Sequence, residues 1–373
     1  MKCAEKSTGF TKDDTLVVKG VAIIFLLLYH CFSSVSRLNG HEVNFWPLSQ
    51  QTVIYVTTCM VHCVGMFAFL SVYGLTLTLK KMYPKYDFNG REASLFVLGR
   101  YIKLVLFFAV PFFICTGVTF LTDTSCYSGT TWQNIVSIVV DFFGVGYLCG
   151  TEYLINTWWY LSLEVVLIVF LPLVLRMYKK FGWLIILMFL IPGSFMIEKH
   201  VHLTKYLFVM PLAVCFADAD VLRRLKEWQP FDNYLMSKMS KFVVTTAAIV
   251  IFSAIWSTEW GLERFEFLLS GLIPMLIIYW CYEFILDIPI LRKILMFLGM
   301  YSATVFYVHS FIRTLWLGDL TYSFGHAALI WGFLMGSSIL IAILIDWIKK
   351  LVRYNKISAD ITERIVGWAG QKL

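Results

Sequence analysis

Three side chains in this 373-residue sequence stand where ionisable groups are costly. His30, Glu164 and His309 interrupt the apolar runs KGVAIIFLLLYH, NTWWYLSLEVVLIVFLPL and LGMYSATVFYVHSFIRTL. A membrane helix turns such groups toward a partner or a water-filled cavity rather than toward lipid. An imidazole titrating near neutrality can take a proton from an attacking hydroxyl. A carboxylate beside it can orient the ring, hold a substrate hydroxyl, or both. Lys19 precedes His30 by eleven residues. Three helical turns take about 10.8 residues, so the two share a face and lie about 16 Å apart along the axis. Two readings of that pair stay open. Lys19 is either an interfacial side chain that snorkels with His30 bonding a neighbouring helix, or the two serve a site.

The elements that must position these groups follow from composition. Hydrophobic residues are 59% of the chain and charged residues 15%, against about a quarter charged in ordinary soluble domains. A soluble class is excluded, because no soluble core needs apolar runs this long or this frequent. A bilayer span takes roughly 20 apolar residues. Ten candidates fit: 20–36, 53–79, 101–121, 157–175, 183–197, 205–221, 242–258, 265–282, 294–315 and 325–348. The expected fold is an all-α polytopic transmembrane bundle of about ten spans. One domain covers 1–373, with no separate soluble domain.

Lys and Arg gather on the cytoplasmic side of membrane proteins. With the N-terminus inside, 26 of the 31 basic residues fall on the inner side, leaving Arg37, Lys199, Lys205, Arg264 and Arg313 outside. The reverse orientation inverts that split. A multi-pass protein of the cell membrane with both termini cytoplasmic is therefore expected. His30, Glu164 and His309 then sit at similar depth, each about two turns below the outer end of its helix.

Residues 134–150 (NIVSIVVDFFGVGYLCG) are apolar enough for another span. A crossing there would put Arg176, Lys179 and Lys180 outside, so a re-entrant or interfacial element is expected, in keeping with Asp141, Gly144, Gly146 and Gly150. The net charge of +7 reflects the inner-face bias, which suits anionic lipid headgroups and calls for no nucleic acid. No cleavable signal layout is visible at the N-terminus. Cys126 and Cys149 could pair, although buried inert thiols are the ordinary fate of free cysteines. Cys59, His62 and Cys63 lack structural zinc spacing, and no metal is expected.

Five segments resemble the acyltransferase-3 family of membrane O-acyltransferases. Lys19, ten intervening residues and His30 resemble that family's opening helix, where Arg usually comes first. Lysine keeps the charge and loses the bidentate fork. MFAFLSVYGLTLTLKK is similar to its F-F-x-x-S-G segment, with Val72 and Tyr73 standing between Ser71 and Gly74. GRYIKLVLFFAVPFF resembles its basic third-helix start through Arg100 and Lys103. WYLSLEVVLIVFLP resembles its W-x-L-x-x-E segment through Trp159, Leu161 and Glu164, and LGMYSATVFYVHSF its L-G-x-x-S-x-x-x-Y-x-x-H segment through Ser302 and His309. The matches run in family order over nearly the whole chain.

The resemblance implies transfer of an acyl group, commonly acetyl from cytoplasmic acetyl-CoA, to a carbohydrate hydroxyl. The acceptor is at the cell surface or lipid-linked. It implies His30, Glu164 and His309 as catalytic residues, with His30 the general base and direct acylation of its ring a variant. Lys19, Arg100 and Lys103 would hold the phosphates of CoA. Ser71, Tyr73, Trp159 and Ser302 would line the substrate. A proton-coupled transporter or flippase is the alternative, opposed by the lack of an internal two-fold repeat. A non-catalytic sensor or scaffold has no sequence feature in its favour.

Overall fold

A computed structural model describes residues 9–122, 127–151, 153–196 and 203–372. Cys126, Lys2, Lys6 and Lys199, which entered the readings above, lie outside those residues. Long apolar runs become helices because only a helix satisfies every backbone donor and acceptor within one segment. In chain order these are α1 (Lys12–Phe32), α2 (Gln50–Cys59), α3 (Cys63–Met82), α4 (Gly90–Thr122), α5 (Thr131–Phe142), α6 (Gly146–Cys149), α7 (Trp159–Phe181) and α8 (Ile185–Met196). They continue with α9 (Val209–Asp218), α10 (Val221–Glu227), α11 (Tyr234–Trp256), α12 (Glu259–Trp280), α13 (Pro289–Ser310), α14 (Gly318–Ser323), α15 (Ala327–Leu351) and α16 (Tyr354–Lys372). Among the described residues there is no strand, only an isolated backbone bridge between Asn44 and His326.

Among the described residues eight helical stretches are long and apolar enough to cross a membrane, beside the roughly ten spans expected. The difference arises between residues 157 and 221. Asn156–Phe195 runs as one helical stretch of 40 residues, which straight would measure about 60 Å, twice a bilayer's ~30 Å hydrocarbon core. Gly182, at φ 58°, interrupts it in the left-handed conformation that ends helices. The next candidate, 205–221, holds only the ten-residue α9. The 134–150 segment contains the 12-residue α5 and the short α6, too short together to span. Trp132, Ile135, Val139 and Phe143 leave an exposed apolar stripe along α5, the pattern of an interfacial helix.

The described chain forms two compact units, each discontinuous in sequence. The first comprises residues up to 23, 62–87 and 170–300. Its α1 opens with a reciprocal cap, in which Asp14 accepts from the Thr11 backbone N–H at 2.9 Å and Thr11 Oγ1 accepts from Asp14 at 3.2 Å. α1 and α13 cross there at two glycines. A Cβ on Gly20 would collide with the Leu295 carbonyl, and one on Gly299 with the Leu16 carbonyl. Small residues that let backbones meet are the usual adhesive between membrane helices. α3 packs on α9 and α12, and α11 pairs with α12.

The second unit comprises residues 24–61, 88–169 and 301–373. It holds the C-terminal parts of α1 and α13 with α4, α5, α15 and α16. Its core is aromatic. Trp158 is buried, its ring 4.8 Å from Phe108 and 5.2 Å from Phe311, and its indole N–H donates to the Tyr307 carbonyl at 3.3 Å. Pro111 lies inside α4 and lacks the N–H that would serve the carbonyl four residues earlier. The buried Lys349 ammonium supplies that donor to the Phe107 carbonyl at 3.1 Å, while its charge rests 4.2 Å from the Phe107 ring centroid. α16 lies along the first half of α4, with Tyr354 donating to the Leu106 carbonyl and Arg91 to the Gly370 carbonyl. The 134–150 segment is held by Asp141, which accepts at 2.8 Å from both the Tyr127 hydroxyl and the Leu154 N–H. Burial of that carboxyl raises its pKa to about 6, against the lowering effect of those two bonds.

Candidate active site

The site belongs to the second unit. His30 stands in the last turn of α1 and His309 in the last turn of α13. Each follows its helix's crossing glycine, Gly20 or Gly299, by ten residues. Their ring centroids are 4.9 Å apart, inclined at 53°. His309 is fully enclosed, whereas His30 is half-buried.

The hydrogen bonds fix different tautomers on the two rings. Beside His309 Nδ1 lie the backbone carbonyls of Phe306 at 2.8 Å and Val305 at 3.2 Å. A carbonyl only accepts, so this nitrogen carries the proton and the neutral ring keeps its lone pair on Nε2. Ser310 Oγ lies 3.1 Å from that Nε2. His30 Nδ1 faces the Arg37 guanidinium at 3.0 Å. A guanidinium only donates, so His30 Nδ1 carries a lone pair and the neutral ring's proton sits on Nε2. The His30 ring thus presents a basic nitrogen toward Arg37, and the His309 ring is anchored by backbone.

Two arginines border the pair. Arg37 also donates to the His30 carbonyl at 3.4 Å and lies 4.8 Å from the Tyr29 ring centroid. Arg313 is carried by the π-helical turn Phe311–Trp316 that follows α13, a form often found at functional sites. It reaches the Tyr322 hydroxyl at 3.5 Å, and Tyr322 donates to the Cys31 carbonyl at 3.2 Å. Arg313 Nε is buried and, among the described residues, has no hydrogen-bond partner.

Glu164 sits on α7, where the Tyr160 hydroxyl donates to it. A path of rings leads from there toward the histidines: Tyr160 lies 5.2 Å from Phe306, and Phe306 lies 6.1 Å from His309. Ser302 is buried on α13, two turns before His309. Trp159 is half-buried beside Tyr147 and Tyr160. Arg100 is half-buried on α4 with its guanidinium 5.2 Å from the Phe96 ring centroid, and Lys103 is exposed one turn further on.

Three expected residues belong to the first unit. Lys19 is half-buried on α1 and Ser71 half-buried on α3. Tyr73 is buried, with Phe10 at 5.5 Å and Phe69 at 6.0 Å from its ring. The sequence reading did not single out Arg37 or Arg313 as site residues, nor Trp158 or Tyr322. The arginines did carry a signal, being two of only five basic residues that the charge split leaves on the expected outer side.

A family model described as an acyltransferase domain matches residues 17–347, nearly the whole chain. No curated protein was found that matches the chain, and no solved structure.

Proposed function

We propose that this chain, which belongs to the acyltransferase-3 family, is a membrane O-acyltransferase that moves acetyl from cytoplasmic acetyl-CoA to a hydroxyl of a cell-surface or lipid-linked carbohydrate. Membership supports acyl transfer between a donor and an acceptor, and the apolar helices support a membrane setting. The rest is argued from the site.

The observation that carries the reading is the opposed tethering of two imidazoles 4.9 Å apart. His30 is the general base. Its Nδ1 lone pair, covered by Arg37 in the free protein, takes the proton of the acceptor hydroxyl once the guanidinium gives way. The hydroxyl oxygen attacks the thioester carbonyl carbon, the C–S bond breaks, and the departing thiolate takes the proton back from His30. His309 is a positioning residue. With its own proton held by backbone carbonyls and its Nε2 facing the Ser310 hydroxyl, its ring is fixed as a wall 4.9 Å from that of His30 and orients the base, the part that a third group plays in a catalytic triad. Glu164 acts from further away, through Tyr160 and Phe306, to set the His309 wall or to hold the acceptor.

The basic-residue split favours cytoplasmic termini in the cell membrane. Arg100 and Lys103 then lie on the inner part of α4, three residues apart and on neighbouring positions of one face, where phosphates of CoA can pair with them. Lys19, on the inner side of α1 by the same charge split, is a further candidate for those phosphates. Raising ionic strength weakens exposed contacts of that kind, so donor affinity should fall with salt in the parent and less so in Arg100→Ala/Lys103→Ala.

The test is transfer of label from radiolabelled acetyl-CoA to glycan by purified protein. His30→Ala should lower transfer by about 10²–10⁴-fold while eluting as a folded species. Near-normal transfer by that variant removes His30 from the chemistry. His309→Ala should retain more activity than His30→Ala, because it loses orientation and not the base.

A further inference from the structure

Basic side chains are scarce on the side that would face outward, with five of 31 there. Two of those five, Arg37 and Arg313, converge on the histidine pair. Among the described residues, neither forms an ion pair with a carboxylate. Lys205, another of the five, pairs with Glu266 at 3.2 Å. Asp319, an acidic side chain between Arg313 and Tyr322 in the sequence, is 90% exposed and turns to His41 at 3.5 Å and Asn39 at 3.3 Å. The neighbours of the two guanidiniums are instead neutral: an imidazole, the Tyr29 ring, the Tyr322 hydroxyl and a backbone carbonyl.

Withdrawing a cation from water without a counter-charge is costly, and here two positive charges are gathered. Burial draws the Arg37 pKa below the ordinary guanidinium range; Tyr29 opposes that fall and the charge of Arg313 adds to it. Arg313 Nε, buried and without a hydrogen-bond partner among the described residues, is a donor in want of an acceptor. Guanidinium groups match carboxylates and phosphates in geometry as well as charge.

We infer that Arg37 and Arg313 bind an anionic group, a carboxylate or a phosphate, carried by the acyl acceptor. This deepens the acyltransferase reading and rests on it for the word acceptor. It also supplies what the mechanism requires of Arg37, since an arriving anion offers the guanidinium a stronger partner than His30 Nδ1. The acceptor is then an acidic saccharide or a saccharide attached through phosphate, and a neutral sugar of the same shape binds more weakly.

The experiment needs no turnover. Thermal unfolding of the detergent-purified full chain is followed with inorganic phosphate, glucuronate, glucose and CoA, each at constant ionic strength. The parent should be stabilised by phosphate or glucuronate and not by glucose. Arg313→Gln should lose that shift, and Arg313→Lys should keep part of it. Stabilisation by phosphate alone marks a phosphate-linked acceptor, and stabilisation by glucuronate an acidic sugar. Absence of a shift with either anion, or a shift that survives in Arg37→Gln/Arg313→Gln, overturns the inference. A CoA shift that disappears in Arg313→Gln also overturns it, because the pair would then serve the donor. Loss of label transfer in His30→Ala is a separate result, so failure of the acyltransferase reading and failure of the anion site can be told apart.

Discussion

In the first unit Lys241 and Glu283 are both enclosed and meet at 2.8 Å, whereas in the second unit Arg37 and Arg313 share a centre with, among the described residues, no carboxylate ion-paired to either. The first pair is supported on every side. Lys241 also donates to the carbonyls of Leu225 and Lys226, and the Tyr279 hydroxyl reaches Glu283 at 3.5 Å. Asp218 is treated likewise, accepting from Lys80, Tyr86 and Tyr178. Its carboxyl stays below the usual carboxylate range although burial pushes the other way, because those three donors and the Lys80 charge outweigh it. Such charges are complete within the fold. The arginines are not, and the difference separates charge that holds structure from charge that waits for a ligand.

Removing one partner of a satisfied buried pair should be the most destructive change. Glu283→Gln leaves Lys241 enclosed and uncompensated, which typically costs ~3–5 kcal/mol. Chemical unfolding in detergent should register that loss. A variant as stable as the parent would show that water reaches the pair, and the contrast between the units would weaken.

Asp141 is an intermediate case, a buried carboxyl satisfied by neutral donors alone. Its folded pKa, raised by burial to about 6 from an unfolded value of 3.8, means that the fold prefers the protonated form. Its contribution is therefore complete below the unfolded value and is lost as pH rises through about 6. A shift of roughly two units corresponds to at most about 3 kcal/mol. Stability should fall between those two pH values in the parent, and Asp141→Asn should flatten that slope. An unchanged slope in the variant assigns it to other groups.

The smallest of these effects belongs to Lys349, whose ammonium fills the gap left by Pro111. Lys349→Met should cost about 1–3 kcal/mol by orphaning the Phe107 carbonyl. Pro111→Ala restores the helical donor, so the double variant should recover part of that loss. Strict additivity in the cycle would show that the lysine does not serve this carbonyl.

The spans were legible because apolar runs of bilayer length have few other uses, and the histidines because an imidazole in such a run is conspicuous. The break near Gly182 was legible as the gap between the apolar runs 157–175 and 183–197, although hydropathy does not report the left-handed residue that makes it. Trp159 was legible through its W-x-L-x-x-E spacing to Glu164, whereas the burial of its neighbour Trp158, on the short 3₁₀ turn Asn156–Trp158, follows from the fold. The bond from Lys349 to Phe107 joins residues 242 apart, beyond any local pattern. Arg37 and Arg313 could be read only as exceptions to the charge rule, and their meeting beside the histidines is a property of the fold.

The most direct measurement sets stability against transfer in one variant, Arg313→Gln. The account predicts a melting temperature equal to or above that of the parent, because an unpaired charge has been removed, together with a clear fall in label transfer from acetyl-CoA. A melting temperature that drops as far as that of Glu283→Gln, with transfer per folded molecule unchanged, would contradict it.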